Sequence, residues 1–324
     1  MNLLVISPSW IGDVIIALPA IADLKRRNPG QRLLVLAKPG VLRLWELSGL
    51  ADELVCQQDS VSATAAHLRA LGTGPAYILP NSFRSALIAW LAGARPRIGF
   101  AGHWRRALLS TVVEYRDLAG REHQVYEIMD LLGADPKSVP EAPRIEIAAD
   151  TRREVAARFG LPEDCVGLIP GAARGPSKCW PEQHYAALGR MLAADGRSIA
   201  LFGSPAERDL CGRIAAAIGD AALNYAGRSD VAEWAALLAG CAAVVANDSG
   251  GMHLAAAVGT PLVAVFGITD PLKTGPRGDH CRIIQRSVEG RREIARNSDS
   301  ARKCLASISV ESVYSAVQEL PRVQ

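Results

Sequence analysis

Two short polar runs, each set between apolar segments, hold side chains able to do chemistry. The first is Ser7-Pro8-Ser9-Trp10-Ile11-Gly12-Asp13, within "ISPSWIGDVIIALPAI". It follows "LLVI", Leu3 to Ile6, a continuous apolar stretch of the kind found in a strand covered on both faces. It precedes Val14 to Leu24, long and apolar enough for a helix packed on a sheet. Such a junction lies at the carboxyl end of its strand, where open α/β sheets place their ligands, so the acid at 13 is a candidate functional group.

The second run lies in "VVANDSGGMHLAAAVGTPLVAVFG", Val244 to Gly267. A buried strand ends at Ala246, Asn247-Asp248-Ser249-Gly250-Gly251 forms a loop, and a small-residue helix starts near Met252. Glycines let the backbone approach a ligand, and the free N–H groups of a helix start, with its positive dipole end, suit a diphosphate. Asp248 can accept hydrogen bonds from sugar or ribose hydroxyls, and His253 can donate to phosphate; the plainer alternative is a helix cap with nothing bound. "IPGAARGPSKCWP", Ile169 to Pro181, occupies the equivalent place after an earlier strand. Gly175 stands three residues before Lys178, so the spacing is not that of a P-loop, and Lys178 is expected to reach a diphosphate as a point charge. In "LFGSPAERD", Leu201 to Asp209, Glu207 could bond a nucleoside edge or serve as a first-turn helix acid. No D-x-D sequence occurs, so the diphosphate is expected to be neutralised by Lys178 and a helix terminus rather than by a divalent cation.

The elements that must position these runs alternate between strand-like and helix-length segments, the signature of parallel sheets with crossover helices. Strands are expected near Leu3–Ser7, Arg32–Ala37, Glu53–Cys56, Ala76–Pro80 and Arg97–Gly99, with a helix from about Phe83 to Ala92. The proline-rich "DPKSVPEAP", Asp135 to Pro143, marks a domain edge. A second series has strands near Val166–Pro170, Ser198–Phe202, Ala242–Ala246 and Leu262–Phe266, and helices at Glu182–Ala194, Ala206–Ile218, Val231–Ala239 and Gly251–Val258. Ser287–Lys303 reads as a charged, irregular loop and Val310–Leu320 as a final short helix. The fold class expected is α/β, two Rossmann-like doubly wound domains facing across a cleft: residues 1–150, residues 151–309, and a C-terminal helix in 310–324.

The 324 residues, 49 % hydrophobic and 21 % charged, are those of a soluble globular chain. No apolar run is long enough to cross a bilayer, and the amino terminus lacks the basic segment of a signal peptide, so a cytoplasmic location is expected. Seven scattered cysteines without a C-x-x-C pair argue against a disulfide framework and against a structural zinc site. A net charge of +3 gives no case for nucleic acid. Its distribution says more: no acidic residue falls between Asp59 and Glu114, while Arg69, Arg84, Arg95, Arg97, Arg105 and Arg106 do, with His67 and His103. An anionic partner is expected there; a solvated basic surface is the alternative.

Together "SPSWIGDVIIALPAI", "YILPNSFRSALIAWLAGARPRIGF", "PGAARGPSKCWPEQHYAALGRML", "LFGSPAERD" and "NDSGGMHLAAAVGTPLVAVFG" resemble, in order and spacing, the ADP-heptose lipopolysaccharide heptosyltransferases, a two-domain GT-B family. "PSWIGD" and "LPNSFRSAL" are more similar to the second heptosyltransferase of the inner core than to the first. The resemblance implies an inverting transfer of heptose from ADP-heptose to a sugar hydroxyl, without cofactor or metal. It makes Asp13 the general base, with Gly12 leaving room for substrate. It puts Ala173, Arg174, Lys178, Glu207, Asp248, Ser249, Gly250, Gly251 and His253 on the donor. Asn81, Arg84, Arg97, Arg105 and Arg106 fall on the side of an anionic lipid A-core acceptor, which implies peripheral contact with the inner membrane. Cys179 and "VEGRREIARNSDSARKCLASISVESV" depart from the family's pattern. Transfer of the first heptose, transfer to another glycan or small molecule, a nucleotide-sugar epimerase and a binding protein of the same fold are the competing readings. A dehydrogenase is disfavoured, since no G-x-G-x-x-G follows either first strand.

Overall fold

The computed structural model describes residues 2–102, 104–115, 119–173, 175, 178–286 and 298–321. The chain forms two compact units, Met1–Ala142 and Pro143–Gln324. Among the described residues each holds one six-stranded sheet in which every pairing is parallel.

The first unit contains β1 (Asn2–Ile6), α1 (Ile11–Arg27), β2 (Leu33–Ala37), α2 (Pro39–Ser48), β3 (Glu53–Cys56), α3 (Val61–Ala70), β4 (Thr73–Ile78), α4 (Phe83–Leu91), β5 (Arg97–Phe100), β6 (Thr111–Val113) and α5 (Gln124–Leu131). Its strand order is β3-β2-β1-β4-β5-β6. The chain therefore reverses direction across the sheet between β1 and β4, and the loops leaving those strands lie side by side: Leu79 N–H donates to Ile6 C=O at 3.3 Å.

The second unit continues with α6 (Ala149–Phe159), β7 (Val166–Ile169), α7 (Glu182–Ala194), β8 (Ile199–Leu201), α8 (Arg208–Ile218), β9 (Ala222–Asn224), α9 (Val231–Ala239), β10 (Ala243–Asn247), α10 (Gly250–Ala257), β11 (Leu262–Phe266), α11 (Pro271–Thr274), β12 (Cys281–Gln285), α12 (Asp299–Ala306) and α13 (Val310–Gln318). Its order, β12-β11-β10-β7-β8-β9, read from the β9 edge repeats that of the first sheet. The reversal here falls between β7 and β10.

Strands β2, β7, β10 and β11 are buried along their whole length, which their sequences, apolar but for Asn247 at the end of β10, require once helices cover both faces. The strands without a sequence signal are β6, β9 and β12, all at sheet edges and half exposed. The irregular segment expected over Ser287–Lys303 is corrected at its end: α12 starts at Asp299, and residues 287–297 lie outside the described residues. Leu305, Ile308, Val313 and Leu320 are buried in the second unit's core, which gives this segment an apolar face to fold upon.

One glycine governs how α10 sits on the sheet. A Cβ on Gly251 would lie 2.7 Å from the Trp234 ring of α9 and 3.0 Å from Ile169 at the end of β7. Gly251 therefore makes room for Trp234 rather than for a ligand. Gly251→Ala is expected to lower stability by about 1–3 kcal/mol through overpacking, read as a lower urea midpoint at unchanged slope.

Candidate active site

Asn247 closes the loops after β7 and β10 into one structure. It is the last residue of β10 and fully buried, and its amide is used on both sides. Oδ1 accepts from Trp180 N–H at 3.0 Å and from Tyr185 O–H at 3.0 Å; Nδ2 donates to Pro170 C=O at 2.6 Å. Burial holds the Tyr185 phenol well above its ordinary pKa, so it remains a donor. Trp180 is itself buried and donates through Nε1 to Ile308 C=O at 3.0 Å, which ties the same loop to the segment between α12 and α13.

This framework presents a compact polar group. Lys178 Nζ is ion-paired with Asp248 Oδ2, and both side chains are largely withdrawn from water. Ser249 is the N-cap residue of α10, yet its hydroxyl makes no capping bond and is buried with no hydrogen-bond partner. A buried hydroxyl without a partner at a helix start, where free N–H groups and the positive dipole end gather, is suited to an anionic oxygen. Gly250 and buried His253 lie in the first turn of the same helix. Ala173 is exposed on the turn after β7, and Arg174 lies outside the described residues.

Glu207 reaches this region from the loop after β8. Its Oε2 accepts from Ser204 N–H at 2.6 Å and Ser204 O–H at 2.8 Å, a capping box that makes it the first-turn acid the sequence allowed. Its carboxyl also lies against the backbone of Gly171: a Cβ there would fall 1.8 Å from Oε1. Glu207 thus sits over the start of the β7 loop, with Oε1 on that side. Burial, and next the nearby Glu207 charge, push the Cys179 thiol up to about 11, so this cysteine is not a nucleophile at neutral pH.

In the first unit the helix following β1 begins earlier than its apolar run suggests. Trp10 is extended and serves as N-cap, and Val14 N–H donates to its carbonyl at 3.0 Å, so Gly12 and Asp13 lie in the first turn of α1. Asp13 is half-buried, at a position where the helix dipole favours a carboxylate. The preceding loop is fixed by Ser7, whose hydroxyl donates to Pro8 C=O at 2.7 Å and accepts from buried Trp45 Nε1 at 2.7 Å.

The five residues expected at the acceptor divide into two groups. Arg105 is fully buried; Nε donates to Phe100 C=O at 2.8 Å, Nη2 to Asn81 Oδ1 at 2.9 Å, and Nη1 to Pro80 C=O. Burial lowers its pKa, but a guanidinium stays charged at neutral pH. Asn81 completes its amide by donating to Tyr115 O–H at 2.8 Å, and Tyr115 stacks on Phe100 at 4.1 Å. Arg97 donates to Leu108 C=O at 2.6 Å and Ala94 C=O at 2.9 Å. Asn81, Arg97 and Arg105 therefore hold the loops after β4 and β5 in place. Arg84 and Arg106 are exposed; Arg84 leans on the carbonyls of Gln58 and Asp59. The structural parts of Asn247, Tyr185, Trp180 and Trp45 were not anticipated, although an Asn ending an otherwise apolar strand was a readable signal. Asn247→Ala, which leaves the buried Trp180 N–H and Pro170 C=O without a partner and the Tyr185 hydroxyl with Ile169 C=O alone at 3.2 Å, is expected to cost about 2 kcal/mol or more, seen as a lower urea midpoint.

A family model described as glycosyltransferase family 9 (heptosyltransferase) matches residues 64–303. Lipooligosaccharide heptosyltransferase 2 of Haemophilus influenzae is 32 % identical over 99 % of each chain. Lipopolysaccharide heptosyltransferase 2 of Escherichia coli K12 is 30 % identical over 93 % of this chain and 92 % of its own. The solved structure of E. coli ADP-heptose lps heptosyltransferase II matches with a TM-score of 0.88 at 29 % identity over 98 % of both chains. The family 9 glycosyl transferase of Veillonella parvula shares the fold, with a TM-score of 0.85 at 22 % identity over 98 % of this chain and 96 % of its own. With its two doubly wound sheets of one strand order, the chain belongs to glycosyltransferase family 9, the heptosyltransferases, and has their GT-B fold.

Proposed function

We propose that this protein is an inverting heptosyltransferase that moves heptose from ADP-L-glycero-D-manno-heptose to the inner core of lipopolysaccharide, adding the second heptose. The observation that carries the reading is the polar group at the end of the second sheet: the Lys178–Asp248 pair beside the unpartnered Ser249 hydroxyl at the start of α10. Likeness to heptosyltransferase 2 of two organisms, along nearly the whole chain, supports the choice of acceptor.

In this mechanism Asp13 takes the proton from the acceptor hydroxyl as its oxygen forms the new bond to the anomeric carbon of the heptose. The bond from that carbon to the diphosphate oxygen breaks, and ADP leaves with the electron pair. Lys178, the free N–H groups of α10 and the Ser249 hydroxyl meet the charge that develops on the leaving oxygens. Asp248 orients Lys178 and accepts from a donor hydroxyl; Ala173, Arg174, Glu207, Gly250 and His253 border the same donor. Arg84 and Arg106 meet the anionic sugars of the acceptor, on loops held by Asn81, Arg97 and Arg105. Fixed protein cations do the work that a divalent ion would otherwise do, so the transfer is metal-independent. The acceptor is anchored in lipid, which puts the reaction at the cytoplasmic face of the inner membrane.

The test is ADP release from ADP-heptose in EDTA, with core acceptors carrying one heptose or none. Release is expected only with the one-heptose acceptor and within about twofold of the rate in Mg²⁺, a difference under ~0.5 kcal/mol in barrier. Loss in EDTA with recovery in Mg²⁺ would overturn metal independence, and equal use of the heptose-free acceptor would overturn the second-heptose assignment. Asp13→Ala is expected to lower kcat by roughly 10²–10⁴ while leaving the ADP-heptose Kd nearly unchanged by calorimetry; a variant with full turnover removes Asp13 from the mechanism.

A further inference from the structure

We infer that the outward face of α4 is a docking surface for an anionic lipid bilayer. The inference rests on the reading above only for its biological setting, a lipid-anchored acceptor; the surface itself is argued from its own residues.

Helix α4 is apolar on nearly every side. Ser85, Ala86, Ile88 and Ala89 are buried in the first unit. At 100° per residue, Phe83, Leu87 and Trp90 fall on the other side within an arc of roughly 60°, bordered by Leu91 and Arg84. Phe83 is 47 % and Trp90 49 % exposed, and Leu87 and Leu91 are half-buried. A helix apolar all round is ordinarily covered all round, and this one is covered on one side only. Trp104 adds to the same region. It is 96 % exposed on the loop that leads into the turn Arg106–Leu108, and that turn packs against α4. Its φ of 59° is left-handed, a conformation bulky residues rarely adopt, and it presents the indole to solvent instead of folding it onto the unit.

The charge around this aromatic face is predominantly positive, with exposed Asp59, whose carbonyl Arg84 contacts, at its edge. Arg69, Arg84, Arg95 and Arg106 are exposed, and the sequence from 60 to 113 holds no carboxylate. Arg84 donates to the carbonyls of Gln58 and Asp59 and Arg69 to that of Leu91, contacts that fix the guanidinium groups without cancelling their charge. Exposed Trp and Phe among arginines fit the headgroup layer of a bilayer, where rings enter the acyl boundary and guanidinium groups stay with phosphate. A second copy of the chain is the poorer occupant, because a two-fold interface would set this cationic patch against itself. Among the described residues no helix is long and apolar enough to cross a membrane, so the contact is one of surface adsorption.

The test is co-sedimentation of the full chain with phosphatidylcholine vesicles that contain or lack phosphatidylglycerol, read alongside Trp fluorescence. Binding is expected only with phosphatidylglycerol, with a blue shift of the emission and loss of binding in high salt. The double variant Phe83→Ser/Trp90→Ser is expected to bind at least about tenfold more weakly, and Arg95→Ser a few-fold more weakly, the scale of one interfacial cation. ADP release by the double variant with a deacylated, water-soluble acceptor is expected to match the parent, which separates this surface from the active site. Equal binding to pure phosphatidylcholine, no binding by the parent, or binding indifferent to these substitutions would overturn the proposal. A concentration-dependent dimer abolished by the double variant would reassign the face to a second copy. A parent protein that binds vesicles yet releases no ADP with any acceptor would sink the activity and leave the surface standing.

Discussion

The polar group at the carboxyl edge of the second sheet depends on one buried amide. Asn247 stands one residue beyond the last pairing of β10 with β7, and a side chain with both a donor and an acceptor can there continue on that side what the sheet's own ladder has left off. It binds the loop that carries Lys178 to the strand that carries Asp248, so the ion pair inherits its geometry from a residue that faces neither ligand nor solvent. The Asn247 bonds add to the loop's own short turns, Gly175 N–H to Ala172 C=O at 3.3 Å and Lys178 N–H to Gly175 C=O at 3.2 Å, and to the tie from Trp180 Nε1 to Ile308 C=O.

The first unit meets the same need with a charge instead of an amide. Arg105 gathers Pro80, Asn81 and Phe100, from the ends of β4 and β5, around one guanidinium. Gly99 permits this, since a Cβ there would approach Arg105 Nη2 at 3.0 Å. In both units, then, the loops at the carboxyl edge are ordered by a polar group sealed inside them. Such a group is costly unless every one of its bonds is made, which ties the loop conformations to a single arrangement.

Much of this was legible in the residues. The strands that lie inside the sheets are written as apolar runs because both faces are covered, and Leu262–Phe266 was placed to the residue; so was the edge strand Glu53–Cys56, whose Leu54, Val55 and Cys56 still form a short apolar run. The edge strands β6, β9 and β12 were not, because they are short or carry polar residues within a half-exposed run. Glycines, a lysine and an aspartate near two strand ends pointed to residues that the structure brings together in the Lys178–Asp248 pair, but spacing does not say what a glycine makes room for; Gly251 accommodates Trp234 and Gly171 accommodates Glu207. The cluster of arginines illustrates the wider limit. Six cations in an acid-free stretch look alike in sequence, yet Arg105 is buried and Arg106, its neighbour, is exposed, because the turn at Arg106–Leu108 directs consecutive side chains to opposite environments.

The bond from Trp180 Nε1 to Ile308 C=O has a consequence for how the protein is made. The first unit's strands and helices are complete by residue 142, so it can reach its final form while the rest of the chain is still being synthesised. The loop bearing Lys178 cannot, because Trp180 finds its acceptor, and the core beneath it gains Leu305, Ile308 and Val313, only after more than a hundred further residues have left the ribosome. During that interval the loop is a glycine- and proline-rich stretch with its tryptophan uncovered, a segment open to a chaperone or protease. The loop bearing Lys178 is thus completed late in synthesis, well after the first unit.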